Sequence, residues 1–261
     1  VTVPSAEMAD RIEGYVTGNG LRPIQIHVIP DIAETCDIYR ATHETVTGTR
    51  LPADLPPAST PKTPGRKKVV WFGNYGASHS NFGIFSLKST LKSLRAVDPE
   101  VPLELGVISN SGPVYRALVQ HCGFPTRYVP WSAPAVYAEL ASADAALLTT
   151  GDDEFCDIKS SSRVLQAFAA GVPVITAKGS AVAEFDEAIA IGRMQDALRN
   201  CLGPGREGFV QPKLAAAQHV LARYTPERIG KIWASLLKSA IARSRERQAA
   251  RQRNKLLIVL E

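Results

Sequence analysis

The sequence predicts an α/β fold built on a doubly wound parallel sheet of five or six strands. Three observations support this. Between residues 67 and 205, apolar runs of four to six residues alternate with longer stretches of helical period. These segments follow one another as β-α-β-α-β-α-β-α-β, and such crossovers are right-handed in nearly all sheets. The chain has 261 residues, of which 45% are hydrophobic, enough for a large buried core.

The first 66 residues are expected to form a smaller unit and a linker. Ser5 is a predicted N-cap for a helix through Met8, Ile12 and Tyr15, which Gly18-Asn19-Gly20 ends. Residues 24–29 predict a strand that Pro30 closes. Residues 52–66 hold five prolines without periodicity and are interpreted as a Pro-rich linker.

The sheet-forming part begins at residue 67. Strands are predicted at 68–72, 103–108, 126–129, 144–149 and 172–176, and helices at 82–97, 113–122, 137–142 and 161–170.

Two further helices are predicted, at about 212–223 and 226–253. The second has Thr225 as its N-cap and Pro226 at its first position, where the missing N–H costs nothing. Its apolar residues recur at spacings of three and four, which predicts a stripe that packs against another part of the protein. The stripe consists of Ile229, Ile232, Trp233, Leu236, Leu237 and Ile241.

The net charge of +5 comes from the end of the chain. Seven basic and two acidic residues lie in 238–261, so residues 1–237 balance at 23 against 23. The basic end is interpreted as a solvated terminal helix or as a contact with an anionic membrane surface. Nucleic acid is not expected as a partner, because no aromatic platform accompanies these charges.

The cysteines and the start of the chain indicate the cellular compartment of the protein. Cys36, Cys122, Cys156 and Cys201 lie 86, 34 and 45 residues apart, which is no metal-ligand spacing, so we expect small, buried, reduced side chains. No apolar run approaches the ~20 residues of a membrane-spanning helix. We therefore expect a cytoplasmic protein, either free or at the inner face of the membrane. The absent initiator Met indicates a processed chain or a fragment.

A loop rich in glycine and polar residues follows the first strand of the predicted sheet. Gly73, Asn74, Tyr75 and Gly76 would let main-chain N–H groups approach a phosphate, and His79 would contact the same group. The glycine spacing fits neither a dinucleotide fingerprint nor a P-loop. The alternatives are a plain turn and a solvent-facing histidine.

A second polar segment leads into the predicted helix at 161–170. Its acidic loop includes Glu154 and Asp157, and Lys159 to Arg163 follow with Ser160, Ser161 and Ser162 between them. Helix-start N–H groups and two cations suit a diphosphate, and nearby carboxylates suit sugar hydroxyls. The alternative is a capped helix with solvated charges.

The stretch from Lys159 to Thr176, KSSSRVLQAFAAGVPVIT, resembles the donor-binding segment of GT-B fold glycosyltransferases, in the group of family 4 (glycosyl transferases group 1). Residues 27–31, 137–144 and 224–233 resemble other family segments in the same order. The resemblance implies a Rossmann-like donor-binding domain at 67–205, preceded by the remnant of an acceptor domain at 1–51. Residues 206–255 would be the closing helices with a basic tail.

Two features depart from the family pattern. Ile158 occupies the place of the earlier of two family glutamates, with Asp157 beside it, and Gln166 occupies the place of the later one. The Lys-x-x-x-Arg variant at the helix start is intact. Only about 50 residues precede the linker, where the family has a full acceptor domain. A fragment and a truncated domain completed by a partner both fit.

The resemblance implies a hexosyltransferase-type enzyme of polysaccharide biosynthesis, or its donor-binding half. It would move a sugar from a nucleoside-diphosphate sugar to a glycan or lipid-linked acceptor without metal or cofactor. Lys159 and Arg163 would be catalytic, neutralising the leaving diphosphate. Glu154 or Asp157 would hold sugar hydroxyls, Gln166 the ribose, and Trp131 would flank the base unless it fills the core. The alternative is a non-catalytic nucleotide-sugar-binding or interaction module.

Overall fold

The computed structural model describes residues 1–51, 60–76, 83–149, 161–176 and 180–259, with the backbone alone at 180, 181 and 250–259. The strands are β1 Thr2–Val3, β2 His27–Val28, β3 Lys67–Phe72, β4 Leu103–Ser109, β5 Thr126–Pro130, β6 Ala145–Leu148, β7 Val174–Thr176 and β8 Ile189–Ile191. The α-helices are α1 Ala6–Gly18, α2 Cys36–Thr47, α3 Leu87–Val97, α4 Gly112–Leu118, α5 Ala133–Ala141, α6 Ser162–Ala169, α7 Met194–Leu202, α8 Arg206–Leu221 and α9 Pro226–Val259. Within the described residues, 3₁₀ helices occupy Gly83–Ser86 and Ser180–Phe185.

Six parallel strands form the main sheet in the order β5-β4-β3-β6-β7-β8. The chain builds outward from β3 to β5, returns to the other side of β3 with β6, and builds outward again to β8. The order therefore reverses between β3 and β6, and folds of this kind bind ligands at that position, beyond the carboxyl ends of the strands. The predicted doubly wound α/β fold is confirmed.

Helices cover both faces of this sheet. One face packs Val69 and Trp71 of β3 against Leu87 and Leu94 of α3, all of them fully buried. The opposite face packs Phe72 against Phe168 and the other apolar residues of α5, α6 and α8. Alternate residues of one strand thus serve two cores, which explains why β3 has an almost unbroken apolar sequence.

The N-terminal residues form a separate two-stranded parallel sheet, β1 beside β2. Ser5 caps α1 as predicted, its hydroxyl accepting from the Met8 N–H at 3.2 Å. The strand predicted at 24–29 is limited to His27–Val28. Hydrogen bonds with residues 1–3 extend beyond these two residues, from the Val1 amino group to the Gln25 carbonyl at 2.9 Å and from the Ile29 N–H to the Val3 carbonyl at 2.8 Å.

Residues 60–66, in the Pro-rich segment, are fastened to the amino-terminal edge of the main sheet. The Thr60 N–H and hydroxyl both donate to Glu139, at 2.7 and 2.9 Å, and the Thr63 N–H donates to Glu104 at 2.9 Å. Glu139 also pairs with Lys68 at 2.7 Å, with both side chains buried. The division of the chain into domains stays a prediction.

Several predicted boundaries are wrong. Helix α4 ends at Leu118, not at 122, and α5 begins at Ala133 because Ser132 caps it. Helix α8 begins at Arg206 and contains Pro212, which was expected to start it. Strand β8 and helix α7 were not predicted. For β8 the reason is its length, since three residues are too few to show a period.

The long C-terminal helix α9 begins as predicted, with the Thr225 hydroxyl accepting from the Arg228 N–H at 3.3 Å. The expectation of a buried stripe is wrong for most of its members. Ile229 is buried, but the exposed fractions of Trp233, Leu237 and Ile241 are 41%, 53% and 52%. Among the described residues, no helix is long and apolar enough to cross a membrane.

The cysteines follow the prediction in part. Cys122 and Cys201 are buried, and burial raises the pKa of the Cys201 thiol to about 11, so it stays protonated at neutral pH. Cys36 is only partly buried at the start of α2, which corrects the expectation for that residue. Cys156 lies outside the described residues.

Candidate functional site

The loop after β3 is tied to three neighbouring elements. The Gly73 N–H donates to the Ile108 carbonyl of β4 at 3.0 Å. The Asn74 carbonyl accepts from Ile84 at 3.2 Å, and the Tyr75 N–H donates to the Asn110 side-chain oxygen at 2.8 Å. These bonds hold the main chain of residues 73–76 over the carboxyl end of the sheet.

The path of this loop requires glycine at residue 83. Gly83 has φ +68°, and a Cβ atom built there would lie 2.5 Å from the Asn74 carbonyl oxygen and 2.7 Å from the Gly76 nitrogen. Such distances are shorter than any real contact of a Cβ atom. The start of the 3₁₀ helix therefore packs directly on the backbone of the loop, which no larger residue at 83 would allow.

A buried chain of hydrogen bonds supports the loop from below. The Trp71 indole N–H donates to the Thr149 hydroxyl at 2.8 Å, Thr149 and Ser86 share a bond of 2.5 Å, and Ser86 donates to the Gly83 carbonyl at 2.6 Å. These hydrogen bonds join β3, the end of β6 and the 3₁₀ helix. They fix the two strands between which the strand order reverses.

Arg163, in the first turn of α6, reaches across to the end of β3. Its Nη1 donates to the Phe72 carbonyl at 3.2 Å, and a Cβ atom at Gly73 would lie 3.3 Å from that nitrogen. Ser161 occupies the N-cap of α6 but makes no side-chain capping bond. A cation, the amino end of a helix and the glycine loop thus meet at one point, an arrangement suited to an anion.

Gln166 lies one turn further along α6, where its side chain hydrogen-bonds the Tyr137 hydroxyl. That hydroxyl donates to Glu34 of the N-terminal unit. Burial and the bond to Glu34 raise the pKa of Tyr137 far above its usual value, so the phenol is neutral at physiological pH. The predicted ribose ligand is therefore part of a network that joins α5, α6 and the N-terminal unit.

The remaining predicted site residues divide into two groups. Trp131 stands 54% exposed after β5, with its main-chain N–H donating to the Ser109 carbonyl at 3.0 Å, so the alternative of a core residue is wrong. Tyr75 is also largely exposed. Five predicted residues lie outside the described part of the chain: His79, Glu154, Asp157, Lys159 and Ser160.

Ser162 is the first residue of α6, as the prediction of a helix start requires. In the part of the chain that the structure describes, no group of three or more His, Cys, Asp or Glu residues could hold a metal ion.

Sequence reasoning missed three residues that shape the site, namely Asn110, Thr149 and Ser86. Asn110 had the same signal as Asn74, since it follows a buried strand directly and is succeeded by Ser111 and Gly112. Thr149 follows β6 directly and Ser86 ends the 3₁₀ helix before α3, and neither position reveals in sequence that the side chains meet. Only the pairing of β3 with β6 brings them together.

No protein-family model matches the chain, and no curated protein matches it. Solved structures do. Sucrose-phosphate synthase from Thermosynechococcus elongatus is 16% identical, with a TM-score of 0.57, over 93% of this chain and 58% of that one. An α,α-trehalose-phosphate synthase (UDP-forming) from Burkholderia vietnamiensis is 11% identical, with a TM-score of 0.61, over 93% and 60%. The pneumococcal O-GlcNAc transferase GtfA, solved with UDP and GlcNAc, is 11% identical, with a TM-score of 0.58, over 92% and 45%.

These similar structures are glycosyltransferases, and at such identities the likeness shows the fold. The Rossmann-like α/β arrangement expected from the resemblance to GT-B enzymes is confirmed at that level. The chain spans about 60% of the length of the first two structures, at 58% and 60%.

Proposed function

We propose that this chain is the donor-binding half of a glycosyltransferase, with a nucleoside-diphosphate sugar as its donor. The observation that carries the proposal is the convergence of Arg163, the start of α6 and the glycine loop at the carboxyl end of β3. Two arms of a diphosphate would contact two different surfaces there, the main chain of Asn74 and Gly76 on one side and Arg163 on the other, since the Gly73 and Tyr75 N–H groups already bond within the protein.

The chemistry that this arrangement would supply is charge stabilisation. Transfer of the sugar leaves negative charge on the departing diphosphate, and a guanidinium fixed at that point stabilises this charge as it develops. Arg163 is held in place by the Phe72 carbonyl before any ligand arrives. Lys159 would add a second cation four residues earlier in the sequence.

The sugar and nucleoside ends of the donor would lie on either side of this point. Glu154 or Asp157 would accept hydrogen bonds from sugar hydroxyls. Trp131, exposed after β5, would offer its ring to a nucleobase. Gln166 would contact the ribose as a neutral partner while it is bonded to Tyr137.

The acceptor and the setting of the reaction are also part of the proposal. We propose a glycan or lipid-linked acceptor, transfer of a hexose as in family 4-like enzymes, and a role in polysaccharide biosynthesis. A cytoplasmic location fits the reduced cysteines at 36, 122 and 201. No cofactor is needed when two cations serve the leaving group.

A second candidate is a non-catalytic module that binds a nucleotide sugar. One observation favours it. The Gln166 side chain stands where the resembling family has a glutamate, and it is engaged with Tyr137, so it lacks the charge and the freedom of a carboxylate. Such a module would keep the diphosphate site and lose turnover.

Turnover and binding separate the candidates. Release of nucleoside diphosphate from UDP-glucose, GDP-mannose and ADP-glucose is measured with the full chain and with Lys159→Ala/Arg163→Ala. The enzyme hypothesis expects release that the double substitution reduces at least about a hundredfold, the loss typical of removing a preorganised charge donor. Tight binding without release supports the module. Absence of both binding and release in the unaltered chain would contradict the donor-site proposal.

A further inference from the structure

Of the four large apolar side chains that are exposed in the described part of α9, three lie on one line of the helix, and the fourth, Ile232, lies on another face. Trp233, Leu237 and Ile241 are spaced by four residues, so they stand one above another, and about half of each side chain is exposed, at 41%, 53% and 52%. We call these three residues the apolar strip. A tryptophan, a leucine and an isoleucine in such a row form a continuous apolar surface that none of the described residues covers.

A different face of α9 contacts the body of the protein. Ile232, Leu236 and Ser239 line a groove against residues 25–29, and the Arg243 guanidinium donates to the Gln25 side-chain oxygen at 2.7 Å. This contact fixes the rotation of the helix about its axis. The apolar strip is consequently turned away from the N-terminal unit and toward solvent.

Basic residues flank the strip. Lys238, Arg245 and Arg247 are exposed on α9. The one acidic residue between Arg228 and Val259 is Glu246, nine residues after Leu237. Nine residues are two and a half turns, so Glu246 lies on the side of the helix opposite Leu237. Further along the same helix the sequence adds Arg251, Arg253 and Lys255.

We propose that α9 lies on an anionic lipid surface, with the apolar strip at the boundary of headgroups and acyl chains and its basic flanks against lipid phosphates. A helix with an apolar line, a tryptophan and lateral cations is the combination that binds such interfaces. The acidic residue faces away from the lipid. This role does not depend on whether the chain binds a nucleotide.

Lipid fits this surface better than the alternatives. A nucleic acid would pair with the cations but would gain nothing from the aliphatic side chains of Leu237 and Ile241. A second copy of α9 would bring like charges together along both flanks of the strip. Only an anionic membrane surface satisfies the apolar and the charged parts at once.

The test measures sedimentation of the full chain with vesicles of phosphatidylcholine alone and with about 30% phosphatidylglycerol. The variant Lys238→Glu/Arg245→Glu/Arg247→Glu reverses the charge of the three basic residues that flank the apolar strip. The matched control, Lys92→Glu/Arg116→Glu/Arg127→Glu, reverses three exposed cations elsewhere, so the net charge of the two variants is equal. The proposal expects at least about a tenfold weaker partition of the α9 variant onto anionic vesicles. Equal weakening by both variants, or equal binding to neutral vesicles, overturns it.

Fluorescence locates the contact. Of the three tryptophans, Trp71 is buried, so Trp131→Phe leaves Trp233 as the exposed one. The proposal expects its emission to shift to shorter wavelength on addition of anionic vesicles. An unchanged emission overturns the proposal, and so does a shift that appears without vesicles and grows with protein concentration, since a second copy then covers the strip.

Discussion

The Arg163 guanidinium donates a hydrogen bond to the Phe72 carbonyl at 3.2 Å. This bond joins α6 to the last residue of β3, across the point where the strand order reverses. It places a positive charge beside the glycine loop before any ligand is present. Because a preorganised charge costs no rearrangement when negative charge develops, Arg163 is the centre of the proposed donor site.

The contact of Gly83 with the loop predicts a specific cost for an added methyl group. Gly83→Ala should destabilise the fold by more than the ~1 to 2 kcal/mol that a positive φ alone costs a non-glycine residue. The excess arises from the 2.5 Å approach to the Asn74 carbonyl. Urea unfolding measures the free energy.

Gly171→Ala is the matched control, since Gly171 has φ +70° and nothing within 4 Å of its Cβ position. If the two substitutions cost the same free energy, the close packing of Gly83 on the loop is not important for stability. Binding of nucleoside diphosphate should also weaken in Gly83→Ala and stay unchanged in Gly171→Ala.

The buried pair Lys68–Glu139 predicts strong non-additivity. Glu139→Gln leaves an unpaired charge on Lys68, whose side chain is only 2% exposed, and should cost about 3 to 5 kcal/mol of unfolding free energy. The double change Lys68→Met/Glu139→Gln should be less destabilising than either single change, because no buried charge remains and the amide oxygen can still accept from Thr60. A double-mutant cycle by urea unfolding measures this coupling, and additive effects would contradict the buried pair.

Asp144 predicts how stability depends on pH. Burial alone would raise its pKa, but hydrogen bonds from Lys62 and the Lys68 N–H, with the charge of Lys67, lower the pKa below the usual 3.8. A lowered pKa in the folded state means that the unfolded state binds the proton more readily. The stabilisation is therefore complete above about pH 5 and is lost as the pH falls through the folded pKa.

Asp144→Asn should remove this dependence in part. At pH 7 we expect a loss of roughly 1.5 to 3 kcal/mol, the usual contribution of hydrogen bonds to a charged group. The difference from the unaltered protein should shrink toward pH 3. Unfolding free energies at several pH values check this, and a difference that stays constant down to pH 3 would be the contrary result.

The sheet could be predicted from the sequence because its strands are apolar on both faces. Val69, Val70 and Trp71 have no alternation, and that pattern is typical of a parallel sheet covered by helices. Short elements could not be predicted. Strand β8 has three residues, and its pairing with β7 depends on the tertiary structure alone. Helix α8 was misplaced because Pro212 was interpreted as a helix start, although a helix can absorb one missing hydrogen bond.

The approach of Arg163 to Gly73 could be expected for a similar reason. Loops after parallel strands meet at one edge, so Gly73 and Arg163 could be assigned to one region from spacing alone. The partners that fix them could not. Asn110, Thr149 and Glu34 act through side chains whose neighbours come from distant parts of the sequence, and a single sequence contains no information on such pairings.

Calorimetric titration of UDP, GDP and ADP into the full chain and into Arg163→Ala tests the central claim most directly. Arg116→Ala, an exposed arginine of α4, serves as the control. The donor-site account predicts that one of the three nucleotides binds the unaltered protein and the control alike. It also predicts at least about tenfold weaker binding to Arg163→Ala, the equivalent of 1.4 kcal/mol. Equal affinity for all three proteins, or binding by none of them, would contradict it.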